Sequence, residues 1–396
     1  MPETIAERES RVVMQTYRRH PVEFVRGEDV WLFDREGRRY LDFLSGIAVA
    51  GVGHANPRVQ EAVAAQMGEL VHVSNLFYTE PQVRLAERLS GLSGLDRVFF
   101  ANDGATANEC AIKLARRWSQ RRKGYSAFEI ISLEGSFHGR TLATLSATGQ
   151  PAKQATFEPL PAGFRQVPPG DVDELRSATG PTTAAVMIET TQGEGGVLPL
   201  DAQYLQGVRE LCDALDALLI VDDVQAGMGR TGTWFSWQSL GFEPDIATVA
   251  KGLANGLPIG ACMARDDVAS AFAYGDHATT FGGGPVVCGA ALAVLEEIES
   301  RGLLENAVAR SVQLRTGLSA IDGVEEVRGR GLLLAAVVDH PGAVVDAALQ
   351  GGLVLNALHD AVRVTPPLTI TVEQVDLAIE RFRAAVYSTR TGSAAV

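Results

Sequence analysis

One lysine carries the strongest chemical signal in the chain. Ile246-Ala-Thr-Val-Ala runs without charge into Lys251, and Gly252 follows directly. An ammonium at the end of a buried strand is costly, so burial should lower its pKa. The neutral amine left behind is a nucleophile able to condense with a carbonyl. Taken alone, Lys251 could equally extend to water. What faces it decides the matter. Leu218-Leu-Ile-Val-Asp222 ends the most apolar stretch on a carboxylate. A buried, unpaired aspartate costs several kcal/mol, so Asp222 needs a cationic partner. A protonated heterocyclic nitrogen would serve, as would a structural ion pair or a helix N-cap.

Two further stretches offer binding groups. Asn102-Asp-Gly104-Ala105 opens a helical pattern, and free N–H groups at a helix start can hold a phosphate. Gly135-Ser-Phe137-His138-Gly139-Arg140 places an aromatic ring, an imidazole and a guanidinium within one loop. Phe137 could stack on a planar ring, and Arg140 could grip a carboxylate through two hydrogen bonds. Each feature also has an ordinary structural explanation; together they ask for a common frame.

That frame is an alternation of strands and helices. Arg97–Ala101, Ile130–Leu133, Ala184–Glu189, Leu218–Asp222, Ile246–Ala250 and Ile259–Ala264 are mostly continuous apolar runs, as in strands covered on both faces. Helical segments are expected at 57–67, 81–92, 108–120 and 202–214. This pattern predicts an α/β fold with a mostly parallel sheet whose ligand lies at the carboxyl ends of the strands. Val30–Asp34 and Glu36–Phe43 read as two short strands across a glycine turn, and residues 1–14 as a loose arm or short helix. Helices follow at 285–300 and 303–320. Val324–Arg328, Leu332–Val338 and the stretch from Arg363 are strands of a smaller α+β domain. The last helix is expected at about 372–387, with Ser388–Val396 disordered.

With 396 residues, 46% hydrophobic and 21% charged, the chain should form more than one domain. The expected division is an N-terminal segment 1–50 joining the small domain, a large domain 51–284, and a small domain 285–396. There are 35 basic and 48 acidic residues, so the net charge is −13, which argues against nucleic acid or an anionic membrane as partner. Cys110, Cys212, Cys262 and Cys288 form no CxxC pair and read as buried thiols of a reducing cytoplasm. The polar start Met1–Ser10 and the shortness of apolar runs such as Leu332–Val338 point to a cytoplasmic protein.

Several motifs occur in one order: Gly104 in its turn, Ser136-Phe-His-Gly-Arg-Thr141, Gln192-Gly-Glu194-Gly-Gly-Val197, Asp222-Asp-Val-Gln225 through Gly232, Ala250-Lys251 and Thr280-Phe-Gly-Gly. This order resembles the class III aminotransferases that depend on pyridoxal phosphate (PLP). The resemblance covers about 24–382. Val73–Pro81 and Ser45–Val49 are most similar to the acetylornithine branch.

The resemblance implies the PLP-dependent transferase fold of type I, aspartate aminotransferase-like. It implies transfer of the δ-amino group of N-acetylornithine to 2-oxoglutarate, a step of arginine biosynthesis, in a homodimer with a shared site. Lys251 would hold the cofactor and move a proton, and Asp222 would pair with its ring nitrogen. Asp223, Val224 and Gln225 would be further cofactor contacts, with Gln225 near the ring hydroxyl. Phe137 would stack on the ring. Gly104 and Ala105 would bind the phosphate, joined by Thr280 from a second subunit. Arg140, with Thr279 close by and Asn75 in its loop, would bind substrate. Arg363 would take the carboxylate beside the reacting carbon of glutamate. Acetylornithine has none there, so Glu194 would neutralise Arg363 and swing aside for glutamate.

The chain departs from the family pattern at Asp103 and Ala105, at Asp223, at Gly284 and at Thr190-Thr191. Asp103 beside a phosphate would repel it, so it should cap the helix and point away. Other readings remain open: ornithine, succinylornithine or 4-aminobutyrate as donor, or a PLP aminomutase. Gly227-Met-Gly229-Arg-Thr-Gly232 matches a dinucleotide fingerprint of NAD-dependent dehydrogenases. Its glycines begin five residues past Asp222 rather than at the strand end, and Thr233-Trp-Phe-Ser-Trp beyond them is a poor helix start, so the match is accidental.

Overall fold

The computed structural model describes residues 4–392. Its centre is a seven-stranded sheet: β1 (Arg97–Ala101), β2 (Glu129–Leu133), β3 (Phe164–Val167), β4 (Thr183–Ile188), β5 (Leu218–Asp222), β6 (Ile246–Val249) and β7 (Gly260–Ala264). The order is β1-β7-β6-β5-β4-β2-β3. β6, β5, β4, β2 and β3 run parallel, whereas β7 is antiparallel to both β6 and β1. Every residue of β4, β5, β6 and β7 is buried, which is why these stretches read as mostly continuous apolar runs. β3 was not expected. It lies at the sheet edge, and in Phe164-Arg-Gln-Val the arginine is exposed, Phe164 and Gln166 are half-buried and only Val167 is buried, so no apolar run forms.

Helix Gly104–Lys123 follows β1 and buries Ala107, Cys110, Ala111, Leu114, Ala115 and Trp118, the stripe expected of a helix lying on a sheet. Covered strands with helices between them put five strand ends on one side. Asp222 closes β5, Lys251 stands two residues beyond β6, and Glu189 directly follows β4. Gly104 lies beyond β1 and Phe137 beyond β2. Residues far apart in sequence meet there.

The C-terminal part has its own antiparallel sheet of Val324–Arg330, Leu333–Val338, Ala361–Val364 and Asn356–Ala357. Strand Arg39–Asp42 near the N-terminus pairs with Trp31–Asp34 and, in parallel, with Leu353–Val354. Strand Phe24–Glu28, also unexpected, extends that ribbon at its outer edge. The opening residues form a helix, Ile5–Val12, closed by a capping box between Thr4 and Glu7. The final helix is Val372–Gly392, longer than expected. Arg390 pairs with Asp322, which gives this extra turn a partner. The rest of the stretch expected to be disordered, 393–396, lies outside the described residues. Among the described residues no helix is long and apolar enough to cross a membrane.

Candidate active site

A cavity of about 410 Å³ opens at the strand ends, lined by Gly104, Ala105, Asn108, Phe137, His138, Arg140, Glu189, Asp222, Val224, Gln225 and Lys251 among others. Lys251 opens a short 3₁₀ turn, Lys251–Ala254, and its backbone has φ of 43°, a left-handed conformation that side chains rarely adopt. The residue is half-buried. Burial pulls its ammonium pKa below the usual lysine value, while Glu194 opposes that shift and Arg363 adds to it. The amine is thereby biased toward the neutral, nucleophilic form.

Asp222 is buried, at 4% exposure, and each of its oxygens is engaged. Asn108 Nδ2 donates to Oδ2 at 2.7 Å, His138 Nδ1 meets the same oxygen at 2.8 Å, and the Val224 N–H donates to Oδ1 at 3.1 Å. Asn108 is itself fixed, donating to the His138 carbonyl at 2.7 Å and accepting from Thr248 Oγ1 at 2.6 Å. No lysine or arginine pairs with Asp222 among the described residues. His138 Nε2 is buried without a partner. The carboxylate therefore faces the cavity held in place but only partly compensated.

Helix Gly104–Lys123 points its N-terminus at the cavity. Asp103 caps it as expected, accepting from the Thr106 N–H at 2.8 Å while Thr106 Oγ1 accepts from the Asp103 N–H at 3.1 Å. The N–H groups of Gly104 and Ala105, the first two helical residues, are left without intrahelical partners. Gly104 has to be glycine for a packing reason: a Cβ there would come 2.7 Å from Val224 Cγ1. Arg140 is exposed, with its guanidinium 5.6 Å from the Phe137 ring centre; the Lys153 amine is 5.1 Å from the same ring.

At the cavity edge Arg363 is fully buried. Its Nη1 donates to Glu194 Oε1 and, at 3.1 Å, to Gln225 Oε1, while Nε donates to Asn356 Oδ1 at 3.0 Å. Burial alone would raise the Glu194 pKa; the adjacent guanidinium outweighs it and holds the carboxyl below its usual value.

Not every expected residue lies here. Asp223, expected to touch the cofactor, turns away from the cavity. It is fully buried, and its Oδ2 accepts from the Ser236 N–H at 3.0 Å. Consecutive residues leaving a strand point to opposite sides, and Asp222 already takes the cavity side. Asn75 and Thr280 line a separate cleft with His72, Phe77, Gln82 and Gly283. Asn75 Nδ2 donates to the Thr279 carbonyl at 3.2 Å and to that of Gly282 at 3.0 Å. Thr279 meets the cavity wall through Asn102, whose Nδ2 donates to its Oγ1 at 3.3 Å. These three form one group, apart from Lys251 in the single chain.

Sequence reasoning passed over Asn108, Glu189 and Thr248, and gave His138 no role. Glu189 Oε1 accepts from the Phe137 N–H at 2.8 Å and Oε2 from the Gly193 N–H at 3.1 Å. Burial pushes its pKa up to about 7, with His138 opposing and Asp222 reinforcing the shift. A carboxylate closing an apolar strand was the available signal for Glu189, the same one that marked Asp222. Asn108 and Thr248 carried none.

Comparison with known proteins agrees with this geometry. The acetylornithine aminotransferase of Methanocaldococcus jannaschii is 46% identical over 377 residues, covering 94% of this chain and 95% of that protein. That of Gloeobacter violaceus is 47% identical over 384 residues, covering 95% and 96%. Among solved structures, the ornithine aminotransferase of Toxoplasma gondii matches with a TM-score of 0.93 at 32% identity, covering 97% of this chain and 94% of that one. The N-acetylornithine aminotransferase of Stenotrophomonas maltophilia matches with a TM-score of 0.83 at 38% identity, covering 95% and 98%. The model of the family described as aminotransferase class III matches residues 12–386. A strand-end lysine and aspartate facing one cavity, inside a family match spanning nearly the whole chain, lead to one conclusion: this protein belongs to the class III aminotransferases.

Proposed function

We propose that this enzyme moves the δ-amino group of N-acetylornithine to 2-oxoglutarate, giving N-acetylglutamate 5-semialdehyde and glutamate, as a step of arginine biosynthesis. Pyridoxal phosphate is the cofactor of the family, and the cavity fits it: two unpartnered N–H groups at a helix start for the phosphate, a buried carboxylate for the ring nitrogen, and a neutral-biased amine. When bound, the cofactor supplies an aldehyde that condenses with amines and a ring that accepts electrons. The protein supplies the rest. Lys251 provides the anchoring amine and then carries the proton at the reacting substrate carbon. Asp222, held by Asn108 and His138, keeps the ring nitrogen protonated. Phe137 covers one ring face, and Arg140 at the mouth receives the carboxylate at the far end of the substrate.

The observation that carries the substrate reading is the pair of Arg363 and Glu194. An ω-amine donor has no carboxylate beside its reacting carbon, so a buried guanidinium there would be uncompensated unless Glu194 covered it. Glutamate brings its own carboxylate and displaces Glu194. Likeness of fold does not separate ornithine from its acetylated form. Sequence favours the latter, with 46–47% identity to acetylornithine aminotransferases over nearly the whole chain. Steady-state rates with acetylornithine, ornithine, succinylornithine and 4-aminobutyrate test this. A clear preference for any of the last three overturns it.

Supporting a homodimer, Asn75 and Thr280 stand apart from their own cavity, and exposed Leu76, Phe77, Tyr78 and Phe281 lie beside them in the chain. In this reading Thr280 joins the phosphate site of the second copy. Light scattering that gave a monomer under assay conditions would remove that role. A cytoplasmic location fits four free, buried cysteines.

A further inference from the structure

Glu189 has no part in the chemistry above, although it is buried at 5% exposure in the wall of the cavity. Its two oxygens join two separate loops: one accepts from the Phe137 N–H, the other from the Gly193 N–H. The first loop carries the ring that covers the cofactor. The second carries Glu194. The charged and titratable groups around Glu189 are His138 and Asp222, with Lys251 and Lys153 also within its electrostatic reach. None of these is ion-paired to it.

We propose that Glu189 is a positioning residue that pins the Gly193 backbone while the Glu194 side chain swings, so that Arg363 is uncovered without disturbing Phe137. The inference rests on the exchange of Glu194 for a substrate carboxylate proposed above. With Glu194 on Arg363 its loop is held twice over. Arg363 Nη1 binds the Glu194 carboxylate and also approaches the Gly193 carbonyl at 3.4 Å. Once Glu194 leaves, the ion pair no longer anchors the loop, and the Gly193 backbone keeps its N–H bond to Glu189 at 3.1 Å beside the longer 3.4 Å contact of its carbonyl with Arg363. The uncovered state therefore depends on Glu189 more than the covered state does. Glutamate needs the uncovered state; acetylornithine does not, and senses Glu189 only through Phe137.

The test follows the two half-reactions of the holoenzyme separately, through the absorbance change of the bound cofactor, in Glu189→Gln and Glu189→Asp. Glutamine can accept from only one of the two N–H groups through its oxygen, and its amide confronts the other. Aspartate keeps the charge but is one methylene too short to span both loops. For both variants kcat/KM with glutamate should fall about tenfold, chiefly through KM, and with acetylornithine by less than about threefold. The ratio of the two losses does not depend on how much of a variant folds. Equal losses on both substrates, or an aspartate variant that behaves as wild type, would overturn the inference. Wild-type enzyme unable to use glutamate would instead sink the reading beneath it, and the inference would fall with it.

Discussion

Arg363, fully buried on the strand Ala361–Val364, donates to the carboxylate of Glu194 in the loop after β4, 169 residues away in sequence. The pair joins the C-terminal sheet to the mouth of the cavity. Glu194→Ala would leave the guanidinium with neutral acceptors only: Gln225, Asn356 and the Gly193 carbonyl. Removing one partner of a buried pair costs about 3–5 kcal/mol, and these acceptors, with Glu194 itself half-buried, place this case near the lower end. The variant should melt earlier, and its KM for acetylornithine should rise about tenfold, as for about 1.4 kcal/mol of lost binding. Its half-reaction with glutamate should be no slower than in wild type. Stopped-flow comparison of the two substrates checks this.

Lys251→Ala should abolish multiple turnover and leave the fold intact, because the residue packs against a cavity and not a core. Borohydride treatment of wild type, followed by peptide mass spectrometry, should find a pyridoxyl adduct on Lys251. In the variant it should find none. Retained multiple turnover would refute the role given to this amine.

Asp222→Asn should lower kcat by about a hundredfold or more, the scale of losing a preorganised charge from an enclosed site. The amide cannot satisfy all its neighbours. Asn108 and His138 need an acceptor at one position and the Val224 N–H needs another at the second. Cofactor affinity, read by fluorescence titration of the apoprotein, should weaken in parallel.

Asp223 makes a pH prediction. Burial pushes its carboxyl up to about 7, Ser236 opposes that shift, and Oδ1 is buried without a partner. A folded-state pKa above the unfolded one gives stability that is complete below about 4 and is lost as pH rises through about 7. Asp223→Asn has nothing to ionise and can keep the Ser236 bond. Relative to wild type it should therefore gain stability as pH increases from 5 to 8, by an amount on the order of 1–4 kcal/mol. Urea unfolding at pH 5 and pH 8 measures the difference. A gap independent of pH would show that Asp223 is ionised throughout.

The layered fold was legible because β4, β5, β6 and β7 are buried from end to end, so their sequences could hardly be anything but apolar. β3 escaped because an edge strand meets solvent and carries arginine and glutamine within four residues. Lys251, Asp222, Phe137 and Gln225 stand out as polar or aromatic residues where strands end. Asn108 sits inside a helix, where a polar residue is unremarkable, and only the folded chain brings its amide to Asp222. Asp223 shows the opposite failure. A motif names neighbouring residues together, whereas a strand end turns them to opposite sides.

The left-handed backbone at Lys251 has a consequence for how this protein can evolve. A residue other than glycine held in that region carries roughly 1–2 kcal/mol of conformational cost. Glycine at 251 would relieve it, so the sturdier chain at this position is the inactive one. Selection for turnover and selection for heat resistance therefore pull apart at a single site, and any thermostable descendant has to find its gains elsewhere in the molecule.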